Sequence, residues 1–90
     1  MPVRTVTVGS ASGLHARPAA LFVAAAAAQR VAVTIRTADR PPVPARSMLS
    51  VLSLGARFGT AVTLEADGDG ADEALDALTS LLARDLDAEA

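Results

Sequence analysis

Histidine occurs once in this chain, at position 15, between Gly13-Leu14 and Ala16-Arg17-Pro18. The stretch Gly13-Leu14-His15-Ala16-Arg17-Pro18-Ala19-Ala20 joins a small-residue loop to an alanine-rich run, so the imidazole falls where a helix begins. A helix start carries backbone N–H groups without intrahelical partners and the positive end of the macrodipole, a natural seat for an anion. An ordinary imidazole has a lone pair when neutral, and that lone pair can attack phosphorus. Arg17 adds a fixed charge with a fork of donors suited to phosphate oxygens. Pro18 has no N–H to lose and pre-sets φ for the first turn. Because the residue before a proline is biased away from helix, either His15 or Arg17 can be the cap. A lone histidine here is also compatible with plain capping, and an arginine beside proline with a solvated surface position; spacing alone does not choose.

The elements that must position this corner follow from periodicity. Val6 and Val8 alternate with Thr5 and Thr7, which predicts a strand from Val3 to Val8, ended by the turn residues Gly9 to Gly13. High helix propensity predicts a helix from Ala16 to about Gln29, with Leu21, Phe22 and Ala25 toward the core. Val31, Val33 and Ile35 form a second alternating, half-buried strand, and Asp39-Arg40-Pro41-Pro42 a turn. Pro42 and Pro44 restrict Val43–Ala45 to a short edge strand. Ser47 fits the N-cap of a short helix from Met48 to about Leu54, with Val51 and Leu54 inward and Gly55 able to end it in the left-handed conformation. Thr60–Ala66 is a fourth strand with Val62 and Leu64 inward. After the turn Asp67–Gly70, Ala71, Leu75, Leu78 and Leu82, with Ala74 and Leu81 beside them, form a helical apolar stripe that predicts a helix to about Leu86. The order βαββαβα predicts an α+β fold, a split βαβ arrangement whose antiparallel sheet carries its helices on one face.

Composition bounds the chemistry. Ninety residues suit one small domain, expected over residues 1–90. Without Cys, disulfides and thiolate metal sites are excluded, and one histidine rules out a histidine-rich metal site within one chain. No apolar run approaches membrane-spanning length and no signal-peptide pattern follows Met1, so a cytoplasmic protein is expected. Residues 1–64 hold seven Arg against Asp39, whereas residues 65–90 hold nine acids against Arg84. That split implies a basic surface suited to acidic partners, while the net charge of −2 and the lack of basic residues interleaved with aromatics disfavour nucleic acid.

Residues 13–19 resemble the active-site signature of the HPr family, the histidine-containing phosphocarriers of the bacterial phosphoenolpyruvate-dependent sugar phosphotransferase system, without a gap. Arg46-Ser47-Met48-Leu49-Ser50-Val51-Leu52-Ser53-Leu54-Gly55 resembles that family's regulatory-serine segment at the expected separation. The resemblance implies an open-faced β-sandwich, a four-stranded antiparallel sheet with three helices on one face. It implies that His15 accepts a phosphoryl group on Nδ1 from enzyme I and passes it to a sugar-specific enzyme IIA, with Arg17 and the backbone N–H groups of Ala16 and Arg17 holding the phosphate. It also implies partner docking through Met48, Leu49 and Leu52, and no cofactor or metal. Such a carrier needs partner enzymes for turnover and is not an enzyme alone; a monomer is expected. Ser47 matches the serine modified by HPr kinase/phosphorylase in some bacteria, and simple capping is an equal reading. Ala24 and Ala27 stand where the family often carries Lys, so steering would rest on Arg17, Arg46 and Arg57, which predicts slower association or partners with fewer acids. Alternatives are a paralogue serving a nitrogen-related or dihydroxyacetone-kinase phosphorelay, or a non-catalytic regulatory binding module.

Overall fold

The computed structural model describes residues 2–86. Its elements run β1 (Val3–Thr7), α1 (Ala16–Ala27), β2 (Val33–Arg36), β3 (Val43–Pro44), α2 (Met48–Ser53), β4 (Ala61–Ala66) and α3 (Ala71–Ala83). The four strands form one antiparallel sheet in the order β1-β4-β2-β3, with Val6 opposite Val62 and Ile35 opposite both Leu64 and Val43. Period-two alternation therefore sends Val62, Leu64, Ala66, Val33 and Ile35 to one face, where they are buried, with Val6 half-buried beside them. The opposite face is polar: Thr5, Thr7, Thr34, Thr63 and the Arg36–Glu65 pair, 3.7 Å apart, meet solvent. This is the expected open-faced sandwich. As the two prolines require, β3 is an edge strand of two residues.

The helices cover the apolar face. Phe22 from α1, Val51 from α2 and Leu75, Leu78 and Leu82 from α3 are all fully buried. Each such side chain contributes about 1.5–3 kcal/mol of transfer free energy. Two sequence expectations need correction. Leu21 is 37% exposed, because α1 packs through Pro18, Ala19, Phe22 and Ala26, and Val23 rather than Leu21 lies partly buried against the core. The last helix stops at Ala83, three residues short of Leu86; Arg84 leaves it with extended ψ, and the chain folds Leu86 back to 1% exposure. Outside the core, Arg4 donates to Asp72 at 2.9 Å and Asp76 at 3.4 Å, tying β1 to α3. The hydrogen bond to Asp72 holds the Arg4 guanidinium above its ordinary pKa.

Candidate functional site

The loop that carries His15 is held from three directions. At its start, Gly9 donates its N–H to the Leu82 carbonyl at 2.9 Å, so close to α3 that a Cβ at Gly9 would collide with the Ala83 carbonyl. Ser10 is buried; its hydroxyl accepts the Leu86 N–H at 3.0 Å and donates to the Arg84 carbonyl at 3.4 Å, while the Ala11 N–H donates to Asp85 Oδ1. Gly13 closes a turn onto the Ser10 carbonyl at 2.9 Å with φ +77°. Leu14, 2% exposed, then plugs into the core and donates its N–H to the Ala56 carbonyl at 2.8 Å. A buried anchor next to an exposed histidine fixes the backbone of His15 while leaving its ring in solvent.

His15 is the N-cap of α1, with extended backbone at φ −143° and ψ 156°, and its side chain makes no capping hydrogen bond. The backbone thus resolves the choice between His15 and Arg17 as cap. The first turn contains no acidic residue, so no carboxylate of the helix itself occupies its positive end. Ala16 has φ +48°, the left-handed region that costs an L-residue roughly 1–2 kcal/mol. Arg17 is exposed, and no hydrogen bond or ion pair joins its guanidinium to any described residue. Pro18 is buried and starts the packed face of the helix. A ring nitrogen, backbone amides without intrahelical partners and a guanidinium with no partner among the described residues therefore share one helix start, an arrangement whose amides and guanidinium can bind an anion.

The second predicted segment lies beside the first. Helices α1 and α2 pack on each other, and the Leu14–Ala56 hydrogen bond brings the chain after α2 to the His15 loop. Ser47 caps α2 by accepting the Ser50 N–H at 3.3 Å and is half-buried. Val51 and Leu54 point inward as expected. Of the expected docking residues, Leu49 is 82% exposed, whereas Met48 and Leu52 are half-buried against the core. Ala24 and Ala27 face solvent on α1. Sequence reasoning missed the left-handed Ala16, the Ser10–Leu86 tie and the exposed Phe58. Gly13 hinted at an unusual backbone nearby; nothing local marked the other features.

The chain matches the family model for the PTS HPr component phosphorylation site over residues 3–84. It is 53% identical over 87 residues to a phosphocarrier protein HPr of Streptomyces coelicolor, covering 97% of this chain and 94% of that one. A phosphocarrier protein HPr of Haloferax volcanii is 49% identical over 80 residues, covering 88% and 90%. The crystal structure of HPr-C-His from Thermoanaerobacter tengcongensis superposes with a TM-score of 0.85 at 39% identity, covering 91% of each chain.

Proposed function

This chain belongs to the HPr family of phosphotransferase-system phosphocarriers, and on that premise we propose that His15 is the residue that carries the phosphoryl group. The observation that supports this most is the exposed His15 at a helix start whose first turn has no acid, beside Arg17, whose guanidinium makes no hydrogen bond or ion pair with any described residue. In the forward step the lone pair of neutral His15 Nδ1 forms a P–N bond as the P–N bond of phosphorylated enzyme I breaks. The released electron pair returns to the donor's ring nitrogen, and nothing is oxidised or reduced. The backbone N–H groups of Ala16 and Arg17 and the Arg17 guanidinium take up the charge of the phosphoryl oxygens. In the second step an enzyme IIA attacks the same phosphorus and His15 leaves.

Stabilisation at an exposed helix start is modest, about 0.3–1 kcal/mol per charge, which suits a carrier that must give up what it accepts. The protein is a substrate of its partners and has no turnover of its own. Met48, Leu49 and Leu52 dock those partners, residues 1–90 act as one cytoplasmic, monomeric domain, and Ser47 is a regulatory phosphorylation candidate for an HPr kinase/phosphorylase. Phosphate there would add charge at the cap that Ser50 now completes.

The test is incubation with phosphoenolpyruvate and an enzyme I, followed by phosphorus spectroscopy and acid treatment. An acid-labile phosphohistidine signal that is lost in His15→Ala, with thermal unfolding unchanged, is the expected result. A folded protein that takes up no phosphate, or takes it up equally in His15→Ala, would overturn the reading.

A further inference from the structure

The chain has two phenylalanines, and the fold treats them oppositely: Phe22 is fully buried, whereas Phe58 is 65% exposed. We propose that Phe58, with Arg57, forms a second docking edge beyond the C-terminal end of α2, and that its occupant is the acidic partner protein that exchanges phosphoryl groups with His15. This rests on the carrier reading above and extends it to residues outside α1 and α2.

The turn that holds Phe58 does not require an aromatic. Thr60 donates its N–H to the Arg57 carbonyl at 3.0 Å, the Arg57 N–H donates to Thr60 Oγ1 at 3.1 Å, and Gly59 supplies the left-handed residue at φ +84°. Those backbone devices close the turn whatever side chain stands at 58. The exposed ring is therefore free of any structural duty in the turn and is available to a partner.

Its location identifies that partner. The Gly59 N–H donates to the Val8 carbonyl at 2.9 Å, and the Ala56 carbonyl accepts from Leu14 at 2.8 Å. Gly13 lies so close to the turn that a Cβ there would stand 2.8 Å from Arg57 Cα. The segments 8–14 and 56–60 are thus braced together, and Phe58 is presented with the loop that presents His15. A protein that covers His15 from the side of residues 8–14 meets this turn next. Even a small interface takes about 600 Å² from each partner, roughly an eighth of the 4782 Å² accessible surface, and two of the three expected α2 side chains, Met48 and Leu52, are half-buried. The charge is matched as well: like Arg17, Arg57 is exposed and makes no side-chain hydrogen bond or ion pair with any described residue. An arginine–aromatic pair is the composition in which interface energy concentrates, and its free cations select an acidic surface.

The experiment is steady-state phosphoryl uptake from enzyme I with this protein as the varied substrate. Phe58→Ala is expected to raise KM about tenfold with kcat within about twofold, the signature of lost docking. Val3→Ala removes an exposed apolar side chain from β1, on the sheet's uncovered face, and is expected to leave KM unchanged. The chain has no Trp or Tyr, so Phe58→Trp introduces a single indole; its emission is expected to shift to the blue on adding enzyme I, with KM within about threefold of the starting value. Should Phe58→Ala unfold, the indole signal decides alone. A Phe58→Ala KM within twofold of the unsubstituted protein, or an indole emission unmoved by a saturating donor, would overturn the docking edge while leaving the carrier reading intact. No uptake by the unsubstituted protein would overturn both.

Discussion

The contact between Gly13 and the turn after α2 can be tested by comparing three glycines. Gly13, Gly55 and Gly59 all have positive φ, at +77°, +63° and +84°. A Cβ at Gly13 would stand 2.6 Å from the Ala56 carbonyl oxygen and 2.8 Å from Arg57 Cα, whereas Cβ atoms at Gly55 and Gly59 would meet nothing within 4 Å. Substitution by alanine costs each site roughly 1–2 kcal/mol of left-handed strain, offset by about 0.4–1 kcal/mol from the less flexible unfolded chain. Gly55→Ala and Gly59→Ala are therefore expected to lose about 0.5–1 kcal/mol. Gly13→Ala adds an overpacking cost of about 1–3 kcal/mol, because the atoms it meets are backbone and cannot rotate away. The expected gap between Gly13→Ala and the other two is about 2 kcal/mol, or roughly 10 °C in midpoint for a domain of this size. Circular dichroism at 222 nm during heating, with urea titration as a check, measures it. Relief of the clash must also move the Leu14 anchor, so phosphoryl uptake at His15 is expected to fall in Gly13→Ala and hold in Gly55→Ala. If the three variants agree within about 0.5 kcal/mol, the argument that the two loops are braced is wrong.

Three further outcomes follow from the same geometry. Ser10→Ala leaves the Leu86 N–H without its 3.0 Å acceptor at a buried site, a loss of about 1–3 kcal/mol visible in urea unfolding. Ala16→Gly removes the strain of φ +48° and, after the entropy cost of glycine, is expected to gain about 0.5 kcal/mol; a loss of more than that amount would contradict the left-handed assignment. Ala24→Lys with Ala27→Lys adds two charges to the exposed face of α1, and stopped-flow association with an acidic partner is expected to quicken several-fold at low salt and to lose the gain at about 1 M salt.

Much of this molecule was legible because local chemistry and global packing agree. Alternation in Thr60–Ala66 and Val33–Arg36 already separates a buried from a polar face, since a strand has only two sides. Pro42 and Pro44 lack the donors of an inner strand, and Ser47 can complete a helix start by itself. Where the pattern lost contrast, prediction failed. In α1 alanines occupy both faces, so Leu21 and Val23 compete for the core on nearly equal terms, and only the packing of α1 against α2 and α3 decides between them. The apolar repeat of α3 continues to Leu86, but the helix yields at Ala83, where Gly9 and Ser10, more than seventy residues earlier, take up its terminal groups.

By itself, then, the sequence determined the order of elements, the two faces of the sheet and the presence of a histidine, an arginine and a proline at one helix start. Those follow from side-chain period, backbone permission and capping, which act within a few residues. Tertiary structure decided the rest: that Ala16 is left-handed, that Leu14 locks to Ala56, that the tail of α3 closes on Ser10, and that Phe58 stands in solvent beside the His15 loop. Each depends on where distant backbone groups find partners, and only the closed fold assigns a buried N–H or carbonyl to a partner far along the chain.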